Sequence, residues 1–376
     1  MSRPPLRQRL EAMKLNYLIG LTAPRWRELR RRHRFDPEFR DRAAVLTGMS
    51  LINSLTARRE ARRFDDRIEA TRVEAPPLFV LGHWRSGTTF LHNLLAQDPL
   101  LAYPTGYQVV FPHSFLTCEE WATRRFSSSG PKTRPMDNVP LSFESPQEEE
   151  HALAVLTLQS PYLGMLSFPR EEARYSRYLT FRDAAPEERT QWKAALLWLA
   201  RKLTLKYGDR SLVLKSPAHT ARIALLLELF PDARFVHIHR NPYDVFRSTR
   251  HLLEVLPEFD YLQRPERPAD VDGILRRYTE MYDAYFHDRK QIPEGRLYEL
   301  RYESLEREPV QELQEVYRSL DLPGFEAMRP ALEAYVASIS GYRKNRHQPL
   351  EPALRERVRT AWQHSFDAWE YSPREE

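Results

Sequence analysis

Short apolar runs alternate with amphipathic segments along the middle of the chain. Three runs have the length of buried strands, and each is followed by a segment with apolar residues at helical spacing. In chain order the pairs read LFVLG then TTFLHNLLAQ, SLVLK then ARIALLLELF, and RFVHIH then PYDVFRSTRHLL. Pro217 and Pro242 stand where helices should begin, and Pro99 and Pro231 stand where helices should have ended. The pattern predicts an α/β fold with a parallel sheet flanked by helices.

Two helical regions lie outside this alternation. Residues 1–75 are rich in arginine and have apolar residues at helical spacing, including Met49, Ile52 and Leu55, which predicts a packed, basic, helical N-terminal extension. A second interpretation is a basic amphipathic segment that contacts an anionic membrane or a lipid-like acceptor. The remainder, 76–376, is predicted to be one domain with a largely helical insertion at about 101–210. This insertion and the proline-rich loop LPEFDYLQRPERPAD are expected to form the acceptor side of a cleft, the loop alternatively acting as a lid.

Composition narrows the class of protein without naming a function. With 376 residues, 41% hydrophobic and 29% charged, the chain is typical of a soluble protein, and its net charge of +5 weakly favours anionic ligands. The single cysteine, Cys118, excludes an intrachain disulfide and a cysteine-rich metal site. No apolar run approaches the roughly 18 residues of a membrane span, and the N-terminus lacks a signal-peptide core. The expectation is a cytoplasmic protein, membrane-associated only if the second interpretation of 1–75 holds, with no nucleic-acid partner.

The segment LFVLGHWRSGTTFLHNLL has the form of a phosphate-binding loop between a strand and a helix. Gly82 and Gly87 have the spacing of a nucleotide-triphosphatase loop, but Thr88 stands where that loop has its lysine. Backbone N–H groups of such a turn and of the following helix bind anions in either case. With Arg85 inside the loop and hydroxyl groups at Ser86 and Thr89, a single phosphate with a weakly charged leaving group fits better than a Mg²⁺-bound triphosphate.

The motif HWRSGTTFLHNLL resembles the 5′-phosphosulfate loop of sulfotransferases, which use 3′-phosphoadenosine 5′-phosphosulfate (PAPS). The matching residues are Arg85, Ser86, Gly87, Thr88 and Thr89. A second stretch, FVHIHRNPYDVFRS, is similar to the family's 3′-phosphate element, with Arg240 after a strand and Ser248 eight positions later. A guanidinium and a hydroxyl group suit a terminal phosphate. The resemblance implies a sulfotransferase fold related to that of P-loop nucleotide enzymes, PAPS as co-substrate and no metal.

Three weaker matches support the same family. LVLKSPAH resembles the central lysine segment and puts Lys215 at a strand end, where it would bind the leaving phosphate or the transferring sulfonate. LRYESL resembles the family's strand whose tyrosine, here Tyr302, lies near the adenine. GYRKNRHQPL resembles the C-terminal loop over the 3′-phosphate, with Arg343 and Lys344 matching and Asn345 in place of glycine.

A general base for the acceptor proton is not given by these motifs. Pro217 stands where cytosolic sulfotransferases have histidine. The stretch AYPTGYQ, where many carbohydrate and tyrosine sulfotransferases have a glutamate, contains no acid. The candidates are His219 and the acidic helix start PQEEEHAL, which contains Glu148, Glu149, Glu150 and His151, with Glu149 preferred as the central carboxylate. The acids are equally explained as an ordinary capped helix start, and His219 as a helix cap or packing residue.

Two other classes of function compete with sulfuryl transfer. A P-loop kinase or NTPase would need the absent loop lysine, and a basic nucleotide-binding protein would lack catalysis. The aromatic stretches YQVVFPHSF and SPYLGMLSF in the insertion are typical either of a protein core or of a cleft for an apolar molecule. The expected acceptor is a hydroxyl, or an amine, of a small molecule, a lipid or a carbohydrate, with a lipid or other small hydroxyl compound favoured over a protein.

Overall fold

A computed structural model describes residues 16–126, 142–255, 260–266, 270–341 and 348–372. The chain divides into two compact units, which are treated separately below. The sheet unit comprises the described parts of Glu74–Tyr103, Asp209–Leu253 and Ala269–Glu376. The helical unit comprises the described parts of Met1–Val73, Pro104–Gly208 and Glu254–Pro268.

A five-stranded parallel sheet organises the sheet unit. Its strands are β1 (Leu78–Leu81), β2 (Leu101–Ala102), β3 (Ser211–Lys215), β4 (Arg234–His239) and β5 (Leu297–Arg301), in the order β2-β3-β1-β4-β5. The first strand in sequence is therefore central, with Leu78 opposite Val213 on one side and Arg234 on the other. All four residues of β1 are buried, which explains why it reads as an unbroken apolar run rather than an alternating one.

Helices cover the sheet and supply the rest of its core. They are Thr88–Leu95, Ile223–Leu229, Pro242–Val255, Val271–Asp288, Tyr302–Arg307, Pro309–Ser319, Phe325–Ser338, Pro352–Ala361 and Gln363–Ala368, with 3₁₀ turns at Pro217–Ala221 and Arg289–Gln291. Leu91, Leu94 and Leu95 of the first helix pack with Val80 and Val236 in one hydrophobic cluster. The helix that follows the glycine loop is thus fixed to the strand that precedes it.

The helical unit is built without a strand ladder among its described residues. Its α-helices are Ala23–Arg32, Arg40–Ala70, Gly106–Val110, Phe115–Phe126, Glu150–Thr157, Glu172–Ser176 and Pro186–Tyr207, with shorter turns at Tyr17–Gly20, Pro37–Phe39, Leu163–Ser167 and Pro169–Glu171. The segment before the acidic helix is joined to the start of the insertion, because the Gln147 N–H donates to the Pro104 carbonyl (2.9 Å). Described residues of the N-terminal region and of the insertion belong to this one compact unit.

A buried ion pair lies inside the helical unit. The Lys202 ammonium contacts the Glu60 carboxylate and also donates to the Pro112 carbonyl, with the lysine and glutamate side chains 1% and 2% exposed. The Thr117 N–H (2.7 Å) and hydroxyl (2.9 Å) donate to the second Glu60 oxygen. Burial lowers the pKa of Lys202 to about 8, against the attraction of Glu60. A charge at position 60 is consequently neutralised within the protein and does not reach its surface.

The predicted fold class is confirmed, with one local correction. The three predicted strand–helix pairs are present, and Pro217 and Pro242 begin helical turns as expected. The predicted strand through LRYESL ends at Arg301, and Tyr302 is the first residue of the Tyr302–Arg307 helix. The predicted boundaries at residue 75 and at about 101–210 remain predictions. The proline-rich loop LPEFDYLQRPERPAD lies partly outside the described residues, and its role as a lid is not addressed by them.

Candidate functional site

The loop from Gly82 to Gly87 has a backbone that few sequences could adopt. Gly82 and Gly87 have φ values of 145° and 103°. A Cβ atom at Gly82 would lie 2.5 Å from the Ile238 carbonyl oxygen, and one at Gly87 would lie 2.3 Å from the Tyr302 ring. Arg85 also has a positive φ, 72°, although it has a side chain. The two glycines are required by space as well as conformation, and Arg85 has a left-handed backbone that residues with a side chain rarely adopt.

Neighbouring segments of the sheet unit hold this loop through its first N–H groups. The Gly82 N–H donates to the Thr220 hydroxyl (2.8 Å), and the His83 N–H donates to the Tyr282 hydroxyl (3.3 Å). The Ser86 N–H and hydroxyl both donate to the His83 carbonyl, at 3.1 and 2.8 Å. The N–H groups in the first turn of the Thr88–Leu95 helix have no intrahelical acceptor, and groups of this kind bind anions in other proteins.

His83 gives the loop shape without charge. Its ring is 2% exposed and lies 4.9 Å from the Tyr278 ring, centroid to centroid. Its Nδ1 lies 2.7 Å from the Trp84 carbonyl oxygen, to which it donates if protonated. Burial lowers the pKa of His83 to about 3, so the imidazole is neutral at pH 7. The cationic side chain inside the loop is therefore Arg85.

Arg85 and Ser248 meet although they come from different motifs. The Arg85 Nε–H donates to the Ser248 Oγ at 2.9 Å, and Ser248 is 6% exposed. The sequence motifs assign Arg85 to the 5′-phosphosulfate and Ser248 to the 3′-phosphate. The contact puts both side chains in one cluster, which we call the arginine cluster: Arg85, Arg240, Ser248 and Tyr302.

Arg240 completes the arginine cluster from the end of β4. Its guanidinium lies 4.5 Å from the centroid of the Tyr302 ring, and its Nη1 donates to the Arg85 carbonyl at 3.4 Å. Asp244 approaches the second nitrogen at 3.5 Å. The Arg240 guanidinium is thus held by contacts with an aromatic ring, a carbonyl oxygen and a carboxylate. Tyr302 lies against both Arg240 and Gly87.

Lys215 and Thr89 form a second contact beside the loop. Lys215 is the last residue of β3, as predicted, and pairs in register with Val80 of β1. Its ammonium donates to the Thr89 hydroxyl at 3.4 Å, and the residue is 1% exposed. A cation held at the start of the Thr88–Leu95 helix adds to the positive end of that helix.

His219 is enclosed by the core of the sheet unit. It lies in the Pro217–Ala221 turn, is 0% exposed and makes an edge-to-face contact with Phe79, with ring centroids 5.6 Å apart. Phe79 is itself a fully buried residue of β1. The neighbouring Thr220, which the sequence analysis did not single out, is the residue that contacts the loop.

The acidic helix start is present in the helical unit. The helix begins at Glu150, with Glu149 at the N-cap, and both residues are 0% exposed. The Ser160 hydroxyl donates to Glu150 (2.6 Å), and the Tyr162 hydroxyl donates to the half-buried Glu148. The His151 ring lies 5.1 Å from that of Tyr162. Exposed carboxylates would be enough to cap a helix. Here the carboxylates are buried or half-buried and accept hydrogen bonds from hydroxyl groups, which capping alone does not explain.

Other expectations have simpler outcomes. Arg343 and Lys344 lie outside the described residues. The aromatic stretches of the insertion are core: Val109, Phe115, Leu163 and Phe168 are at most 1% exposed.

Among the residues that the structure describes, no group of three acidic, histidine or cysteine side chains could hold a metal ion. No helix in the same ranges is both long and apolar enough to cross a membrane.

Tyr282 and Thr220 are the contacts that sequence reasoning missed. Tyr282 lies on the Val271–Asp288 helix, where it reads as one apolar position among many. Thr220 is one of several small residues after Lys215. Neither position has a local pattern that distinguishes it, because each partner in the loop is far away in the chain.

Comparison with known proteins gives a consistent family. The sequence model of the sulfotransferase family matches residues 76–327. The chain is 36% identical over 355 residues to the omega-hydroxy-beta-dihydromenaquinone-9 sulfotransferase Stf3 of Mycobacterium bovis, covering 94% of this chain and 90% of that protein. The Mycobacterium tuberculosis protein of the same name matches equally.

Solved structures show the same fold. Sulfotransferase STF9 from Mycobacterium avium superposes with a TM-score of 0.66 at 20% identity, covering 90% of this chain and 87% of that one. Sulfotransferase STF1 from Mycobacterium tuberculosis gives 0.60 at 16% identity, covering 96% and 93%. The parallel sheet, the glycine loop that follows its central strand, and the family match over more than half of the sequence lead to one conclusion: the chain belongs to the sulfotransferase family.

Proposed function

We propose that this sulfotransferase takes its sulfuryl group from PAPS. The observation that supports the donor is the contact between Arg85 and Ser248, because it joins the loop motif to the motif assigned to the 3′-phosphate. A 3′-phosphate would be bound by the arginine cluster, and the 5′-phosphosulfate by the N–H groups at the end of the loop. An adenosine triphosphate has no 3′-phosphate, so the cluster favours PAPS over the nucleotide of a kinase.

The residues around the loop would act mainly by positioning and charge. Sulfuryl transfer places the attacking and leaving oxygens in line, and negative charge builds on the bridging oxygen of the departing nucleotide. Lys215, which contacts Thr89 at the start of the Thr88–Leu95 helix, and the first N–H groups of that helix would stabilise this charge. We assign Lys215 to the leaving phosphate. We assign Arg85 to the 5′-phosphosulfate bound by the loop and also to the 3′-phosphate.

For the acceptor, we propose a hydroxyl group on a lipid of the menaquinone class. The support is the named relative, whose similarity extends over nearly all of both chains. The insertion's aromatic residues give no independent support, because they form core. The proton of the hydroxyl would pass to a carboxylate of the acidic helix start or to His219, and Glu149 remains our first choice.

An assay of sulfuryl transfer from PAPS to lipid tests this proposal. Purified protein is incubated with ³⁵S-labelled PAPS and a hydroxylated menaquinone or a total lipid extract, and labelled lipid is counted. We expect transfer that persists with EDTA, and that falls by at least about 10²-fold in Lys215→Ala because a transition-state donor is lost. Arg307→Ala, at an exposed site on another helix, is the matched control. Transfer from labelled ATP with Mg²⁺, but none from PAPS, would contradict the proposal and indicate a kinase.

A further inference from the structure

One helix of the helical unit exposes large apolar side chains. In the Arg40–Ala70 helix, Leu51, Ile52 and Leu55 are 59%, 53% and 67% exposed. The buried side of the same helix includes Leu46, Asn53 and Glu60, at about the opposite helical phase. The three apolar residues therefore lie on the outer face of the helix, and other residues of the same helix form its packed inner face.

Arginines continue this outer face towards the C-terminus of the helix. Arg58, Arg59, Arg62 and Arg63 are exposed. At 100° per residue, Leu51, Leu55, Arg58 and Arg62 fall within one stripe about 60° wide. We call the exposed residues from Leu51 to Arg63 the basic apolar face.

The basic apolar face has no exposed negative charge. Between Asp41 and Asp65 the only acidic residue is Glu60, and it is buried against Lys202 and Thr117. The acids resume at Asp65, Asp66 and Glu69, all exposed. The positive stretch is therefore bounded along the helix, and the one acid inside it is neutralised by a partner in the protein.

An exposed tryptophan belongs to the neighbouring helix. Trp121 is 63% exposed and lies one turn after Thr117, whose N–H and hydroxyl donate to Glu60. Tryptophan, leucine and arginine are the side chains that bind at the boundary between lipid head groups and acyl chains.

We propose that the basic apolar face binds the surface of an anionic lipid bilayer, with the Arg40–Ala70 helix lying flat on it. Leu51, Ile52 and Leu55 would enter the head-group boundary while the arginines contact lipid phosphates. The charge pattern favours this occupant over a second protein. Three large apolar residues are also few compared with the roughly 20–30 residues that each partner contributes to a stable protein interface.

This inference is independent of the proposed donor and acceptor. Membrane binding is measured without nucleotide and without menaquinone, so a wrong acceptor assignment leaves the result unchanged. If both hold, the bilayer would supply a lipid acceptor that is nearly insoluble in water.

Vesicle co-sedimentation tests the proposal. The full-length protein is mixed with vesicles of phosphatidylcholine alone or with about a third phosphatidylglycerol, and the bound fraction gives a partition coefficient. We expect binding to the anionic vesicles that weakens as salt rises. The triple variant Leu51→Gln/Ile52→Gln/Leu55→Gln should bind at least about tenfold more weakly. Arg58→Gln/Arg62→Gln should bind roughly 30-fold more weakly at low salt.

Matched controls separate the face from general hydrophobicity and charge. Leu100→Gln removes another exposed leucine, 47% exposed in the sheet unit, and Lys290→Gln/Arg307→Gln removes two exposed charges there. Both should partition within about twofold of the wild type. The proposal is overturned if the wild type does not sediment with anionic vesicles or if the apolar triple variant binds like the wild type. It is also overturned if the wild type is a dimer that this variant converts to a monomer, since the face would then be a protein interface.

Discussion

Arg240 is the residue whose geometry is most informative about the nucleotide. It lies over the Tyr302 ring and donates to the Arg85 carbonyl. We predict that adenosine 3′,5′-bisphosphate binds the wild type more tightly than adenosine 5′-phosphate by about 2–4 kcal/mol, or roughly 30–1000-fold. Arg240→Ala should remove most of this preference, as measured by calorimetry with both nucleotides.

A neighbouring arginine provides the control for that measurement. Arg247 shares the Asp244 carboxylate with Arg240, with its Nη2 2.6 Å from Oδ1, and is not assigned to the 3′-phosphate. Arg247→Ala should keep the preference for the bisphosphate. Equal affinity of the wild type for the two nucleotides would contradict the assignment of the 3′-phosphate.

The general base is the second question at this scale. Glu149 and His219 are both fully buried, so either must be reached by an acceptor that excludes water. We predict that Glu149→Gln lowers turnover at saturating PAPS by roughly 10²–10⁴-fold, with little change in bisphosphate affinity, because a base acts on the acceptor proton. Glu148→Gln, Glu150→Gln and His219→Asn are assayed beside it. If turnover is lost only in His219→Asn, the base is the imidazole.

At the scale of elements, the glycine loop depends on contacts between β1, β4 and the Tyr302–Arg307 helix. A Cβ atom at Gly87 would collide with Tyr302, whereas one at Gly295, with φ of 75°, would meet nothing within 4 Å. We predict that Gly87→Ala lowers the free energy of unfolding by about 2–4 kcal/mol, from strain plus overpacking. Gly295→Ala should lower it by only about 1–2 kcal/mol, from backbone strain alone. Urea unfolding compares the two, and equal losses would mean that the Tyr302 contact is not rigid.

The sequence was sufficient for elements that local physics determines. Strand β1 is apolar at every position because both of its faces are buried, and Pro242 begins a helix because proline fits a first turn. The glycine spacing and the Arg240–Ser248 spacing were likewise local signals. The contact of Arg85 with Ser248 was not predictable, since it depends on how the loop and a helix far along the chain are brought together. Tyr282 and Thr220 were missed for the same reason. The predicted strand through LRYESL also extended beyond the observed end of β5, where a helix begins.

At the scale of the whole molecule, buried histidines make stability depend on pH. Burial lowers the pKa to about 3 at His83, His237 and His239 and to about 4 at His113. Their unfolded pKa is near 6.5, so below that pH the unfolded chain takes up protons that the folded chain does not. The stability from these groups is complete above about pH 6.5 and is lost as the pH falls towards 3–4. Asp260, whose burial raises its pKa to about 7, acts in the opposite direction with one proton.

The predicted result is a free energy of unfolding that falls from pH 7 to pH 5. Each excluded proton contributes a slope of up to about 1.4 kcal/mol per pH unit. Urea unfolding at several pH values measures the slope. His237→Phe, in a ring stack with Tyr285 and Trp369, should reduce the slope by about one proton. A slope that His237→Phe leaves unchanged would show that this imidazole is protonated in the folded protein.

The order of the strands has a consequence for synthesis on the ribosome. Strand β1 is made first and is central, and its partners β3 and β4 are the next long strands to be translated. Roughly 130 residues separate β1 from β3, so at 5–20 residues per second the apolar run waits about 7–25 s for a partner. Nascent chains stalled before Ser211 should therefore be cut by protease near Leu78–Leu81 and should bind a holdase chaperone, and chains stalled after β5 should resist both. The phosphate loop follows β1 immediately. Its site therefore assembles late in translation, although its first motif emerges early.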